Sequence, residues 1–357
     1  MQVLSPDAGI LAGDIRSAWG DLKTAISGPI EQFAWWQSCA ESLPGVGRVR
    51  PFLVRANGTF LAIAPLALRP GLLPRLELIG IRQLFEPMDF IYSSPPALAN
   101  LCDQLAQQKL PLDLQRVPRH SPLIGQLERA FKGRGLLRVS ATTPYPFLVI
   151  DASWADPEPH FNAGRRSDFR RAMRNAEKVG SVRFEVIIPV AATLDGLLAE
   201  AYATEMQGWK GERGSALAID PIRADFYRRY FSECMAQGIL RLAFMRIDGV
   251  AIAMQIGVRV NNRFWLLKIG YNDAHARLSP GSLLMLEVVR HAAQTGIESI
   301  EFLGAVEPWT QTWTQAEREC VHIRGYPRGF LSCAVFVVDA ANWAAAQIIR
   351  RWKDVRG

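Results

Sequence analysis

The chain has 357 residues, 49% of them hydrophobic and 21% charged, and a formal net charge of +7 at pH 7. That composition excludes a disordered or fibrous chain and supplies enough material for about two domains. The positive balance admits an anionic partner, whether a phosphorylated cofactor, nucleic acid or an anionic membrane surface. The five cysteines (Cys39, Cys102, Cys234, Cys320, Cys333) have no CxxC spacing and an odd count, which argues for reduced thiols and against a disulfide framework. The five histidines lack metal-ligand spacing, so no metal is expected. Asp7 and Asp14, with no basic run before an apolar one, do not read as a signal peptide, and a cytoplasmic location is expected.

Residues 14–26 and 31–43 read as helices, with Trp19, Leu22, Phe33, Trp36 and Cys39 at helical spacing. Residues 49–55 and 59–68 read as strands. Asn57 and Gly58 join them, a pair suited to a tight hairpin because both turn positions need positive φ. Short strands are expected at 76–79 and 90–92, a helix at 97–108, a strand at 112–117, a helix at 122–132 and a strand at 136–140. This mixed α/β portion, residues 1–150, carries no catalytic constellation. Asp89, in a proline-flanked loop, is its most site-like residue, with turn capping as the alternative reading.

Residues 162–179 form a patterned helix. Phe169, Ala172, Met173 and Ala176 make one apolar face, while Arg166, Arg170, Arg174 and Lys178 line another. Ser167 and Gly180 are candidate start and stop points. The face is either solvated or an electrostatic footprint for a phosphate-bearing ligand. Nucleic acid is disfavoured, because the basic stretch is one helix without interleaved aromatics.

Residues 182–188 then read as a strand and 192–207 as a helix. A glycine-rich loop carrying Trp209 and Lys210 leads to a helix at 221–237. Strands at 240–246, 251–260 and 264–269 form an antiparallel meander through turns at Asp248–Gly249 and Asn261–Asn262. A helix from Pro280 to about residue 294, strands at 299–303 and 320–325 and a terminal helix complete the chain. Residues 330–349 are long enough to cross a bilayer. Asp339, Asn342 and Gln347 interrupt them, and a core-packed helix is the expectation.

The third meander strand delivers the chain into Arg277, Leu278, Ser279, Pro280, Gly281 and Ser282. Ser279 suits an N-cap, whose hydroxyl accepts from a first-turn N–H. Pro280 suits the first helical position. Gly281 permits close approach to the backbone. Free N–H groups and the positive end of the helix dipole then favour an anion, and Arg277 adds a formal charge.

The order strand, two helices, three antiparallel strands, helix and two further strands, with an anion-binding turn after the meander, resembles the GNAT acyltransferase fold. The stretches Arg165–Lys178, Trp209–Gly211, Tyr271–Asp273, Ser279–Gly281 and Glu301–Gly304 are similar to those of the CelD-type branch. The resemblance is strongest over residues 161–325. It implies two GNAT-like lobes in tandem: a degenerate one over 1–150, and an acyltransferase lobe with a terminal helix over 151–357. Fem-type peptidyltransferases share the doubled architecture.

The resemblance also implies acetyl-CoA or a longer acyl-CoA as co-substrate, a primary amine as acceptor, and no metal. Arg277, Ser279, Gly281 and Ser282 would hold the cofactor pyrophosphate, with Tyr271 near the thioester. Glu307, Pro308 and Trp309 stand where the family commonly has a Tyr-Lys pair, which points to an altered acceptor site. Direct attack by a neutral amine needs a base, an oxyanion donor and a proton donor for the leaving thiolate. Glu205, Asp273 and Glu301 are the candidate bases and Tyr271 the candidate acid. Trp209, Lys210 and Glu307 are the candidate substrate contacts. A covalent acyl-enzyme is disfavoured, because no nucleophile motif appears. Two alternatives are tRNA-dependent aminoacyl transfer and a non-catalytic scaffold. A homodimer is compatible with the sequence.

Overall fold

The computed structural model describes residues 2–4, 12–43, 48–69, 71–208 and 220–354. Among these residues the strands form one four-stranded and one eleven-stranded sheet. The smaller sheet runs Gln2–Leu4, Phe52–Ala56, Thr59–Ala64, Ile91–Tyr92. Its hairpin turns on Asn57 and Gly58 at φ of 50° and 84°, as their side-chain chemistry demands. Pro65 has no N–H for a ladder and divides the expected strand 59–68 in two. Beyond it, Leu66–Arg69 enters the larger sheet and pairs with Arg75–Leu78.

The larger sheet runs Val182–Ile187, Leu240–Ile247, Val250–Val260, Arg263–Tyr271, Ser299–Glu301, Gly135–Val149, Glu317–Pro327, Leu112–Pro118, Arg75–Leu78, Leu66–Arg69, Arg48–Val49. Its pairings are mostly antiparallel; Arg263–Tyr271 with Ser299–Glu301 is a parallel exception. The fold class expected from the sequence, mixed sheets flanked by helices, is the one observed. One strand is much longer than expected. Gly135–Val149 pairs first with Glu317–Pro327 and then, through Phe147, Leu148 and Val149, with Ser299–Glu301. The last strand of the chain therefore lies between Gly135–Val149 and Leu112–Pro118.

The meander is covered on both faces. Helices Ala191–Met206 and Pro221–Ala236 pack on one face, in a core shared with the N-terminal helices. Trp35 fixes that union, meeting the Phe226 and Tyr230 rings edge-on at 5.0 Å each. Helices Ala163–Val179 and Pro280–Gln294 close the other face around Phe169, Leu283, Leu284 and Val289. Asn162, and not Ser167, caps Ala163–Val179, accepting from the Arg165 N–H at 2.9 Å. Asn162 sits outside the helix in the extended conformation that a cap requires.

The terminal helix Phe330–Asp354 is not long and apolar enough to cross a membrane, nor is any other helix among the described residues. Asp339, the carboxylate that breaks its apolar run, is a buried link. It accepts from both Arg75 Nη atoms at 2.8 Å and from the Tyr326 hydroxyl at 2.7 Å. Asp339→Ala strands the Arg75 guanidinium with only Asp113 at 3.8 Å nearby. The expected cost in denaturant titration is about 3–5 kcal/mol, and exchanging the pair for Arg75→Met with Asp339→Leu should recover most of it.

Candidate active site

Arg263–Tyr271 pairs in parallel with Ser299–Glu301 only at Arg263, Phe264 and Trp265. Its other edge stays paired with Val250–Val260 as far as Tyr271. From Leu266 onward the strand runs past its parallel neighbour, and the sheet opens. Two features hold that gap. The stretch after Glu301 is drawn to Gly135–Val149, with the Phe302 N–H donating to Pro146 O at 3.0 Å. The register opposite shifts between Ile256 and Gly257, where Leu267 is the extra residue. A bulge of this kind bends a strand and increases its twist. The uncovered edge can receive an extended ligand as an added strand.

The turn that follows is built by short bonds. Asn272 Oδ1 accepts from the Ala274 N–H at 2.9 Å, and the Asp273 N–H donates to Gln207 O at 3.0 Å. A 3-10 turn, Asp273–Leu278, leads to Ser279 and then to Pro280–Gln294. Ser279 corrects the sequence expectation. It lies in the left-handed region (φ 50°, ψ 48°), and its side chain makes no capping bond. At that dihedral its hydroxyl is turned away from the first-turn amides, and its carbonyl accepts from both the Ser282 and Leu283 N–H at 3.1 Å. Pro280 has no N–H, so Gly281 offers the first-turn donor that has no partner among the described residues. Gly281 lies against Tyr271: a Cβ there would sit 3.5 Å from Tyr271 Cδ1. Ser282 is half-buried, while Ser279 and Arg277 are exposed. The Arg277 side chain has no ion pair among the described residues.

Tyr271 is partly buried, and burial, with Asp273 nearby, raises its pKa. Its hydroxyl is therefore held protonated at neutral pH, as a proton donor requires. Glu205 lies on the opposite side of the strand. Helix Ala191–Met206 approaches so closely that a Cβ on Gly270 would be 2.9 Å from Glu205 Cα. Glu205 is 1% exposed.

Glu301 is a second correction. It is fully buried and bidentate with Arg318 at 2.7 Å, and it also accepts from Ser299 Oγ at 2.8 Å. A carboxylate so engaged joins strands and is not a free base. Glu307 is exposed, accepts from its own loop's Trp309 Nε1 at 2.8 Å, and braces that loop. Trp209 and Lys210 lie outside the described residues. The structure thus gathers Tyr271, Asp273, Arg277, Ser279, Gly281 and Ser282 at one strand end, with Glu205 behind it. Among the described residues no cluster of side chains suits a metal.

Sequence reasoning missed a second set of groups. Arg116, fully buried at φ 55°, donates to the carbonyl of Phe85 and, at 2.7 Å, to that of Gly304. The next residue, Glu86, has a sealed Oε2 without a hydrogen bond, and burial pushes its pKa up to about 7. Lys268 lies on the same side as Glu205, its Nζ 4.2 Å from the Tyr227 ring centroid. No sequence signal marks Glu86, whose setting is made by elements far apart in the chain.

Residues 163–311, which contain the gap and the turn, match the family model described as an acetyltransferase (GNAT) domain. No curated protein sequence matches the chain. Among solved structures, the C-terminal domain of a putative lysylphosphatidylglycerol synthetase from Agrobacterium fabrum aligns at TM-score 0.55 and 12% identity, covering 92% of this chain and 96% of that one. FemX aligns at TM-score 0.58 and 12% identity, covering 92% and 98%. L-PGS from Bacillus licheniformis aligns at TM-score 0.50 and 10% identity, covering 86% and 96%. At such identities the likeness is one of fold. The chain has a mixed α/β fold, and residues 163–311 are similar to a GNAT acetyltransferase domain.

The left-handed Ser279 gives a direct check on the turn. Ser279→Ala should cost less than about 0.5 kcal/mol in denaturant unfolding, where a capping serine loses about 0.5–2 kcal/mol.

Proposed function

We propose that the protein transfers an acyl group from an acyl-CoA thioester to a primary amine by direct attack. The observation that carries this reading is the gap beside Leu266–Tyr271, opening at the Gly281 N–H that no described residue pairs. The gap suits an extended pantetheine arm. The helix start suits a pyrophosphate, which would accept from the Gly281 N–H and the Ser282 hydroxyl and pair with Arg277. The resemblance of Tyr271–Asp273 and Ser279–Gly281 to CelD-type acyltransferases supports the same donor.

The chemistry needs a neutral amine and a protonated leaving group. Tyr271, with its raised pKa and its ring beside Gly281, supplies the proton for the thiolate. Asp273 orients and polarises Tyr271, and Glu205 faces the acceptor side. Trp209 and Lys210 follow the Glu205 helix in sequence and would serve as acceptor contacts.

One observation favours a second reading, in which the donor is an aminoacyl ester on tRNA. The side chains of Arg165, Arg174 and Lys178 hold no hydrogen bond or ion pair to a described residue. The fold likeness to FemX is compatible with that donor. A tRNA backbone would make binding fall steeply with salt, whereas coenzyme A contacts few charges.

Calorimetry of coenzyme A with the wild type and two variants tests the turn. Arg277→Ala should weaken binding by about 1.5–3 kcal/mol, roughly ten- to a hundred-fold. Gly281→Val should weaken it further, because the branched side chain must share space with Tyr271 and the anion. Both should melt close to the wild type. Equal affinity in all three would leave the turn as a helix start only.

A further inference from the structure

The gap in the sheet has two sides, and the donor occupies one of them. Tyr271 and Gly281 lie on the side of helix Pro280–Gln294. Lys268 and Gly270 face the opposite side, toward Tyr227 and Glu205. An acceptor that meets the thioester from that opposite side enters between the meander and the N-terminal lobe. Glu86, from the N-terminal part of the chain, interacts electrostatically with Lys268 and Tyr227 on that side.

Three observations set Glu86 apart from the other acids of this region. It has no hydrogen bond or ion pair with any described residue, and its Oε2 is closed from solvent and unsatisfied. A buried carboxylate oxygen left in this state is costly, and the residue as a whole is only partly buried. Its neighbours Trp35, Ile79, Ile81, Leu84 and Met88 pack around it as an apolar wall that leaves no room for a water molecule. The backbone beside it is fixed. Arg116 binds the Phe85 carbonyl and the Gly304 carbonyl together, tying the Glu86 loop to the loop that leaves the gap. Glu301, by contrast, is fully engaged by Arg318.

We propose that Glu86 of the N-terminal lobe is the base that takes a proton from the acceptor ammonium, so that the active site is completed across the two lobes. This rests on the acyl-transfer reading above. The acceptor class is a primary amine that is protonated in solution. Its ammonium gives one proton to the Glu86 carboxylate. The freed lone pair attacks the thioester carbonyl, the C–N bond forms and the C–S bond breaks. Tyr271 gives its hydroxyl proton to the departing thiolate and regains one from the amide-forming nitrogen. Glu86 returns its proton to water. The sum is ammonium plus acyl-CoA to amide, coenzyme A and one proton.

The charged and titratable groups around Glu86 are Arg116 from its own lobe, Lys268 from the meander strand and Tyr227 from helix Pro221–Ala236. The two cations favour the charged carboxylate and burial opposes it, with burial the larger effect. The group is thus half-ionised near neutral pH, where a base is most effective.

The test compares the wild type with Glu86→Gln in the full chain, using acetyl-CoA and two probes, 1,5-diaminopentane and hydroxylamine. The diamine is protonated at pH 7 and needs a base; hydroxylamine is largely neutral and does not. Thiol release with the diamine should fall by about 10²–10⁴-fold in the variant, and its rise with pH through about 7 should disappear. Release with hydroxylamine and the affinity for coenzyme A should hold within about threefold of the wild type. Folding is checked by melting at pH 8. A folded acid with a raised pKa destabilises as pH climbs from its unfolded value of 4.5 toward about 7. The variant should therefore melt at or above the wild type there. The proposal is overturned if the diamine rate and pH profile survive, if both probes lose rate equally, or if the wild type binds coenzyme A yet acylates neither probe. A wild type that does not bind coenzyme A overturns the donor reading and this proposal with it.

Discussion

Everything at the candidate site depends on two parallel strands that stop pairing after Trp265 and Glu301. The separation has a cause on each side. Glu301 is anchored through Arg318 and Ser299, and the chain after it bonds to Gly135–Val149. Arg263–Tyr271 is turned by the bulge at Leu267 and pressed by helix Ala191–Met206, which only a glycine at 270 allows so close. Neither strand can close the gap without giving up buried contacts. An edge with no room to pair internally is left for a ligand.

The helix Pro280–Gln294 converts that gap into a directed site. Its start is unusual because Ser279 takes the left-handed conformation and leaves its hydroxyl unused in capping. A non-glycine residue there carries a strain of order 1–2 kcal/mol. That strain turns the chain sharply enough to bring Gly281 against Tyr271, so the Tyr271 side chain and the Gly281 amide meet at one strand end. The N-terminal part of the chain is tied to the loop that leaves the gap. Arg116 spans from the loop before Glu86 to the loop after Ser299–Glu301, and its position at φ 55° is held by its burial and by its two carbonyl partners.

Much of this was legible in the sequence where local chemistry decides the outcome. Asn57 and Gly58 make their turn, Pro280 begins its helix and Gly180 ends the basic one. The meander and the helices around it follow from hydrophobic period. What was not legible depends on partners distant in the chain. Ser279 reads as a cap because serine prefers that role, but the preceding 3-10 turn dictates its dihedral. Glu301 reads as a base because Arg318 reaches it only through the path of a returning strand. Pro144 and Pro146 conceal the far half of Gly135–Val149, since a proline normally argues against a strand interior. Glu86 reads as an ordinary loop acid until Arg116, Lys268 and Tyr227 surround it.

The claim that the gap is the donor's seat can be tested without knowing the acceptor. Amide hydrogen exchange of the full chain would be followed with and without saturating coenzyme A. The account predicts slowed exchange at Leu266–Tyr271 and at Gly281 and Ser282, with the terminal helix Phe330–Asp354 unchanged. Protection confined to other segments, with the strand edge and the helix start exchanging as before, would contradict it.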